Sequence, residues 1–245
     1  MRTLIVSLAL VSVLLLAGCT AGLKPADGSA IRGSGVKATR EYAEAGFTAL
    51  DIDSAFVVTV TQGDGFKLTV TADDNLLDYV RVTQSQGTLR ITIDSSGFQS
   101  FSSTGQEAAI TMPRLTAVRL GRACRATLAG FAGGASFAAD LGGASRLSGD
   151  VQANDIRLDA HSASQLDLTG RATSLTLSAD GASSAKLGDL AVEKAGVTLR
   201  GASQATVAAT SSLSYDLNDA SQLTYSGNPT IGTARSERAS KVTRQ

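Results

Sequence analysis

Tryptophan is absent from this 245-residue chain, and Phe and Tyr together make up only 4% of it. Such scarcity of rings argues against base stacking and against an aromatic ledge for sugars. Lys and Arg number 22 against 22 Asp and Glu, so there is no basic field to draw nucleic acid or anionic lipid. Histidine occurs once, at His161, and cysteine twice, at Cys19 and Cys124. No window repeats its apolar residues at the 3.6-residue spacing of a helix, which excludes helix-based repeats by period.

What is abundant is small and repetitive. Ala-Ser pairs occur at 144–145, 163–164, 182–183, 202–203, 220–221 and 239–240, with Ala123-Cys124 as a variant first member. Successive pairs stand 21, 19, 19, 20, 18 and 19 positions apart, about one solenoid turn. After each pair comes an alternating run such as Gln165-Leu166-Asp167-Leu168, the mark of a half-buried strand. In Val197, Leu199, Gly201, Ser203, Ala205, Val207 the Ser shares the parity of the apolar residues. Alternate strand residues point to opposite faces, so the Ser faces inward and its Ala outward at a corner.

A parallel β-helix, or β-solenoid, with about 19–20 residues per coil accounts for this pattern, and the class is all-β. Coils stack equivalent residues roughly 4.8 Å apart. Cys124, Ser145, Ser164, Ser183, Ser203, Ser221 and Ser240 then form one inward ladder. Gly143, Gly181 and Gly201 precede Ala at the corner, where the backbone needs φ > 0, yet Arg122, Ser162, Asp219 and Arg238 replace Gly elsewhere.

The chain begins with a targeting pattern, residues 1–18. Arg2 precedes an apolar run from Leu4 to Leu16, too short to span a bilayer comfortably. Leu16-Ala17-Gly18-Cys19 resembles the lipobox of bacterial lipoproteins. That resemblance implies cleavage before Cys19 and acylation of Cys19, giving a membrane anchor. Thr20 rather than Asp follows, which implies outer-membrane or surface sorting in a host with two membranes. Residues 19–37, rich in Gly, Ser, Ala and Pro, read as a flexible tether.

Residues 38–245 read as one domain, with irregular strands over 38–119 and the repeats over 120–245. The first part contains expected strands at Phe47 to Ile52, Phe56 to Thr61, Phe66 to Ala72, Val80 to Thr83, Leu89 to Ile93 and Ala108 to Met112. The second and third are joined by Gln62-Gly63-Asp64-Gly65, which reads as a hairpin loop or as a tight corner between coils. Asp73-Asp74-Asn75-Leu76-Leu77 reads as a short helical turn, and Ser95 to Gln106 as an exposed loop.

Several motifs occur together in order: Gly46-Phe47-Thr48, Val60-Thr61-Gln62-Gly63-Asp64, Ala72-Asp73-Asp74-Asn75-Leu76-Leu77, Gly87-Thr88-Leu89-Arg90-Ile91, Met112-Pro113-Arg114-Leu115 and the recurring Gly-Ala-Ser. The set resembles the bacterial family called "putative auto-transporter adhesin, head GIN domain", over roughly Gly33 to the C-terminus. The resemblance implies a β-helical fold and a cell-envelope location. The adhesin label is a name by analogy, and fold alone does not carry function.

No catalytic constellation stands out. With Cys19 used for lipidation, Cys124 is a lone thiol at a ladder position and reads as a buried small side chain. His161 has the opposite parity from that ladder, so no Cys-His or Ser-His pair is visible. Aligning coils on the leading Leu sets Asp159 level with Gly142, Ser178, Arg200 and Asn218, so no acidic row is expected. Gly142-Gly143-Ala144-Ser145 fails the calcium-solenoid pattern after two residues, and no cofactor or metal is expected. Outward Thr in Leu175-Thr176-Leu177 and similar triplets reads as strand propensity before any flat ligand-binding face.

These features point to a non-catalytic, lipid-anchored envelope protein whose solenoid is an adhesion surface for a protein or glycan. A polysaccharide-acting envelope enzyme, or a structural or signalling role in envelope maintenance, is the alternative. The oligomeric state is left open.

Overall fold

A computed structural model describes residues 30–97 and 100–245. They form a β-solenoid of about seven turns, 67% strand, with no α-helix among the described residues. Five long strands, Arg125–Leu141, Arg146–Ala160, Gln165–Ala179, Ser184–Leu199 and Gln204–Leu217, each make one coil and bend midway. They stack in parallel, so every coil hydrogen-bonds to the coils on either side. Inward residues form columns. Ile52, Leu120, Leu141, Ala160, Ala179, Leu199 and Leu217 are level with one another and fully buried.

The Ala-Ser pairs sit at a corner of unusual backbone. In Asp180-Gly181-Ala182-Ser183 both central residues are left-handed, Gly181 with φ 62° and Ala182 with φ 64°, and the Ser183 amide donates to the Asp180 carbonyl at 3.2 Å. Two left-handed residues define a type I′ turn, the tightest reversal whose twist matches that of strands. The left-handed conformation at Ala costs roughly 1–2 kcal/mol per residue. Two features offset that cost. The Ala amide is turned toward the next coil and donates to its carbonyl at 2.7–3.0 Å in each successive pair from Ala123 to Ala220, so the interstrand ladder continues through the corner. The Ser hydroxyl then donates to the carbonyl three residues back, at 2.6–2.8 Å, in Ser145, Ser164, Ser183, Ser203 and Ser221.

Each of those five Ser side chains is buried, and each is satisfied by that bond. Cys124 is buried in the same row, whereas Ser240, in the last coil, is only half-buried. A further member of the series stands at Ser54-Ala55, with φ 75° and 58°, where Phe56 fills the inward site and the Ala55 amide donates to Arg122.

Residues 56–120 are one coil carrying a long insertion. Val57–Gln62 and Ala117–Leu120 lie under the two faces of the first long strand. The chain between them closes this end of the solenoid. Glu107–Met112 lies beneath Val57–Gln62 in parallel and pairs Lys67–Asp73 antiparallel on its other edge. The hairpin reading of the Gln62–Gly65 link is thus wrong, because a strand from 45 residues later separates the two arms. Lys37–Tyr42 and Val80–Ser85 end the two faces in antiparallel pairing. The helical turn expected over Asp73–Leu77 lies later in the chain, as a 3-10 turn at Leu77–Tyr79, and Asp73 itself ends the strand Lys67–Asp73.

Two stretches are more ordered than their composition suggests. Ala30–Arg32, inside the expected tether, pairs in parallel with Ser100–Ser102, inside the expected loop, and Phe101 packs on the core. Asp73-Asp74-Asn75 makes the fastening. Asn75 accepts from the Ser34 amide and donates to the Arg32 carbonyl, each at 2.9 Å, and Asp74 accepts from the Ser34 hydroxyl. Asp73 is fully buried beneath Gly33, where any Cβ would overlap its carboxylate. It accepts from the Thr104 hydroxyl and amide and lies 3.5 Å from Lys37. The Thr104 hydrogen bonds, aided by Lys37, hold its carboxyl below the usual range against the opposing effect of burial.

Two outcomes follow for unfolding experiments. Ser183→Ala is expected to cost about 1 kcal/mol through the lost buried hydrogen bond, and Ser183→Leu about 1–3 kcal/mol through overpacking. Asp180→Ala, on the exposed side of the same corner, should be close to neutral. Equal effects of all three on urea unfolding would refute the inward role of the ladder. For Asp73 the lowered folded-state pKa means that its stabilisation is complete above the carboxylate range and is lost as pH falls through the folded value. Asp73→Asn should therefore flatten the melting temperature profile below about pH 4, and a parallel acid profile in both proteins would contradict the clamp.

Candidate functional site

The corner opposite the Ala-Ser turns has a different character. Register shifts between neighbouring coils fall there, between Leu128 and Gly134, Asp167 and Gly170, Leu187 and Lys194, and Leu213 and Tyr215. Coil lengths therefore differ at the bend while the turn stays constant. Gly149, Gly170 and Gly227 have φ of 135°, 122° and 97° at this bend. A Cβ on any of them would collide with the carbonyl of the coil beneath, at Leu128, Val151 or Ala209. Glycine is required there by close backbone approach as well as by conformation.

Just beyond that glycine the strands turn inward and leave a groove along the solenoid axis. Its floor is the in-register column Gly134, Ala153, Ala172, Val192, Ala209, small enough to let the surface dip. On one side of the floor stand Gln152, Arg171 and Ala191, and on the other Asn154, Thr173, Glu193 and Thr210. The cavity they enclose is about 680 Å³. It shares Gly133, Gly134, Gln152 and Ala153 with a second cavity of about 170 Å³, bounded by Phe131, Phe137 and Pro113. That cavity in turn shares Gln62 and Pro113 with a third, of about 440 Å³, over Thr61 to Asp64. The three lie side by side from the end coil to the fifth long strand.

Gln152, Asn154, Arg171, Thr173 and Glu193 make no side-chain hydrogen bond or ion pair with any described residue. The outer faces differ. Arg157 bonds Asp159 at 2.8 Å, Arg90 bonds Asp51 at 2.9 Å, Arg146 bonds Gln165, and Ser174 bonds Asp155. Several polar groups are paired on the faces, whereas those five stand free in the groove and Thr210 beside them donates to the Val192 carbonyl at 3.2 Å.

The carboxylates are not arranged as the leading-Leu alignment has it. Asp140 and Asp159 are direct neighbours across two coils, level with Asp51, Arg119, Ser178, Thr198 and Asp216. The alignment failed because the leading Leu falls in two different inward columns: Leu158 is level with Leu177, whereas Leu141, Leu199 and Leu217 are level with Ala160 and Ala179, two residues further on. Asp140 faces Arg119 at 3.6 Å and Asp159 is gripped by Arg157, so each carboxylate is held with a cation on an open face. His161 bonds Asp180 at 2.7 Å across the turn stack, and Ser164 donates to the His161 carbonyl instead of to its ring. Cys124 is buried, and burial pushes its thiol up to about 11, which removes the thiolate a nucleophile needs. No cluster of three His, Cys, Asp or Glu side chains suited to a metal occurs among the described residues. Cys19 lies outside the described residues.

Sequence reading did not find the groove, because its walls share no motif. The legible signal was a second small residue recurring half a coil from the Ala-Ser pair, at Gly134, Ala153 and Ala172, shortly after Gly149 or Gly170.

The fold has solved counterparts. The chain resembles a putative adhesin from Bacteroides fragilis with TM-score 0.80 and 18% identity, over 88% of this chain and 100% of the other. A putative adhesin from Parabacteroides merdae aligns with TM-score 0.75 and 14% identity, over 88% of this chain and 99% of that one. A putative lipid binding protein from Parabacteroides distasonis gives TM-score 0.71 and 16% identity, over 89% and 100%. Among curated proteins none matches the chain. The sequence model of the family described as "Putative auto-transporter adhesin, head GIN domain" matches residues 46–229.

For the thiol, iodoacetamide at about pH 8 should leave the Cys124 peptide unmodified in the native protein and alkylate it in urea. Rapid native labelling of that peptide by mass spectrometry would show an accessible, activated cysteine instead.

Proposed function

Since the chain belongs to the head GIN domain family of putative auto-transporter adhesins, we propose that it is a non-catalytic, lipid-anchored protein of the bacterial cell envelope that presents its rigid solenoid for adhesion. The observation that carries this reading is the groove: a cavity of about 680 Å³ lined by exposed Gln152, Asn154, Arg171, Thr173 and Glu193, whose side chains make no bond with any described residue. Preformed shape with free hydrogen-bonding groups is what binding needs, and catalysis needs more.

Cys19 is the anchor. Ten residues lie between Cys19 and Ala30, where the chain is fastened to the solenoid, a reach of at most about 40 Å. The fastened end carries the antiparallel closing strands. It therefore faces the membrane, and the coils from Arg125 onward project away with the groove along their length. Several acyl chains on one residue give a stable anchor where a single chain does not.

The decisive experiment is protease shaving of intact cells that carry the protein with its own leader, followed by a blot of the membrane fraction. Loss of the protein on shaving is the expected result. Protection until the outer membrane is permeabilised would place it in the periplasm and favour envelope maintenance over adhesion. Cys19→Ser should release the protein from membranes, and continued sedimentation with them would refute the acyl anchor.

A further inference from the structure

We infer that the groove binds a linear, uncharged polyhydroxylated chain, a neutral glycan strand lying along the solenoid axis. The inference rests on the adhesion reading above and names the ligand class for its surface.

Orientation is the first reason. The groove crosses the strands at right angles, and much of the backbone that floors it is engaged in the coil-to-coil ladder, which keeps one register throughout between Arg146–Ala160 and Gln165–Ala179. An extended peptide lying there finds no strand edge to pair with, so the backbone recognition that usually carries peptide binding is unavailable. Recognition falls to side chains.

Those side chains repeat. Asn154, Thr173, Glu193 and Thr210 each follow the floor residue of their coil, one per coil, so they recur about every 4.8 Å along the groove. A regular row of donors and acceptors fits a polymer that offers hydroxyl groups at regular intervals. The floor from Gly134 to Ala209 spans four coil steps, roughly 19 Å.

Charge and polarity narrow the class. In the largest cavity the only ionic side chains are Arg171 and Glu193, of opposite sign. A polyanion would meet Glu193 with nothing to outweigh it, and a polycation would meet Arg171. Amides at Gln152 and Asn154 and the hydroxyl of Thr173 suit neutral hydroxyls, which both donate and accept. An acyl chain would leave the free polar walls unsatisfied, so an open polar groove is poorly matched to it.

The test uses the full-length protein reconstituted in liposomes, titrated calorimetrically with neutral β-linked glucose and N-acetylglucosamine oligomers, from disaccharide to octasaccharide. Acidic galacturonate oligomers, a fluorescent fatty acid and an unstructured peptide complete the set. Affinity for one neutral series should rise with chain length until the groove is filled and then level off. Thr173→Tyr, at an exposed wall position, should weaken that binding by about tenfold or more. Thr176→Tyr, exposed on the outer face, should leave it unchanged. Circular dichroism melts matching the parent's keep both variants interpretable as folded. Failure of both neutral series to bind, binding independent of length, indifference to Thr173→Tyr, or exclusive binding of the acidic, acyl or peptide probe would each overturn the inference. Surface exposure by shaving together with no glycan binding would sink the ligand class alone. Protection from shaving with glycan binding intact would sink the adhesion reading and leave the groove's ligand standing.

Discussion

Everything in this molecule depends on a corner that reverses direction in two residues without dropping a hydrogen bond. A parallel solenoid has to bring its chain back with the same parity on every turn, or inward and outward residues exchange. Two left-handed residues meet that condition, and the amide of the second, turned along the axis, joins the ladder between coils. Ala in that conformation is unfavourable on its own. The buried Ser hydroxyl bound to the carbonyl three residues back closes the turn from inside, and it explains why a polar residue recurs in an apolar column.

Holding one corner constant leaves the other free to vary. All the differences in coil length gather at the opposite bend, where glycine allows backbones to touch and small residues let the surface sink. A constant turn and a variable bend are thereby separated within the coil. Residues 141–145 of one coil and 179–183 two coils on are nearly interchangeable, whereas Gln152, Arg171 and Ala191 at the bend are not. Such division suits a scaffold whose binding face changes while its stacking does not.

The regular part of the fold was legible because its period and parity are written directly into the chain. Ala-Ser spacing gave the coil, and alternation gave the facing of Ser183 and Ser203. The insertion was harder, since the pairing of Glu107–Met112 between two nearby strands is a long-range event that local turn signals at Gln62–Gly65 do not report. The corner at Ser54-Ala55 went unnoticed for a similar reason: Phe56 replaces the Ser, and 68 positions separate Ala55 from Ala123. As for the groove, no single residue in it is distinctive. It arises from the subtraction of side chains along a column, and that column becomes visible only once the register across the variable bend is known. The alignment of Asp140 with Asp159 was missed for another reason: the last Leu before the turn sits in one inward column at Leu158 and in the next at Leu141.

The ladder between coils also decides how the protein carries load. Inter-coil hydrogen bonds point along the axis, and fourteen residue pairs link the coil at Arg146–Ala160 to the coil at Gln165–Ala179. Tension along the axis stretches a whole rung at once, so the bonds resist together. Tension on a single free strand end opens them one after another, like a zipper. A chain held at its first coil and gripped along its length is loaded in the strong direction, and this asymmetry makes the stack of coils a tension member as well as a surface.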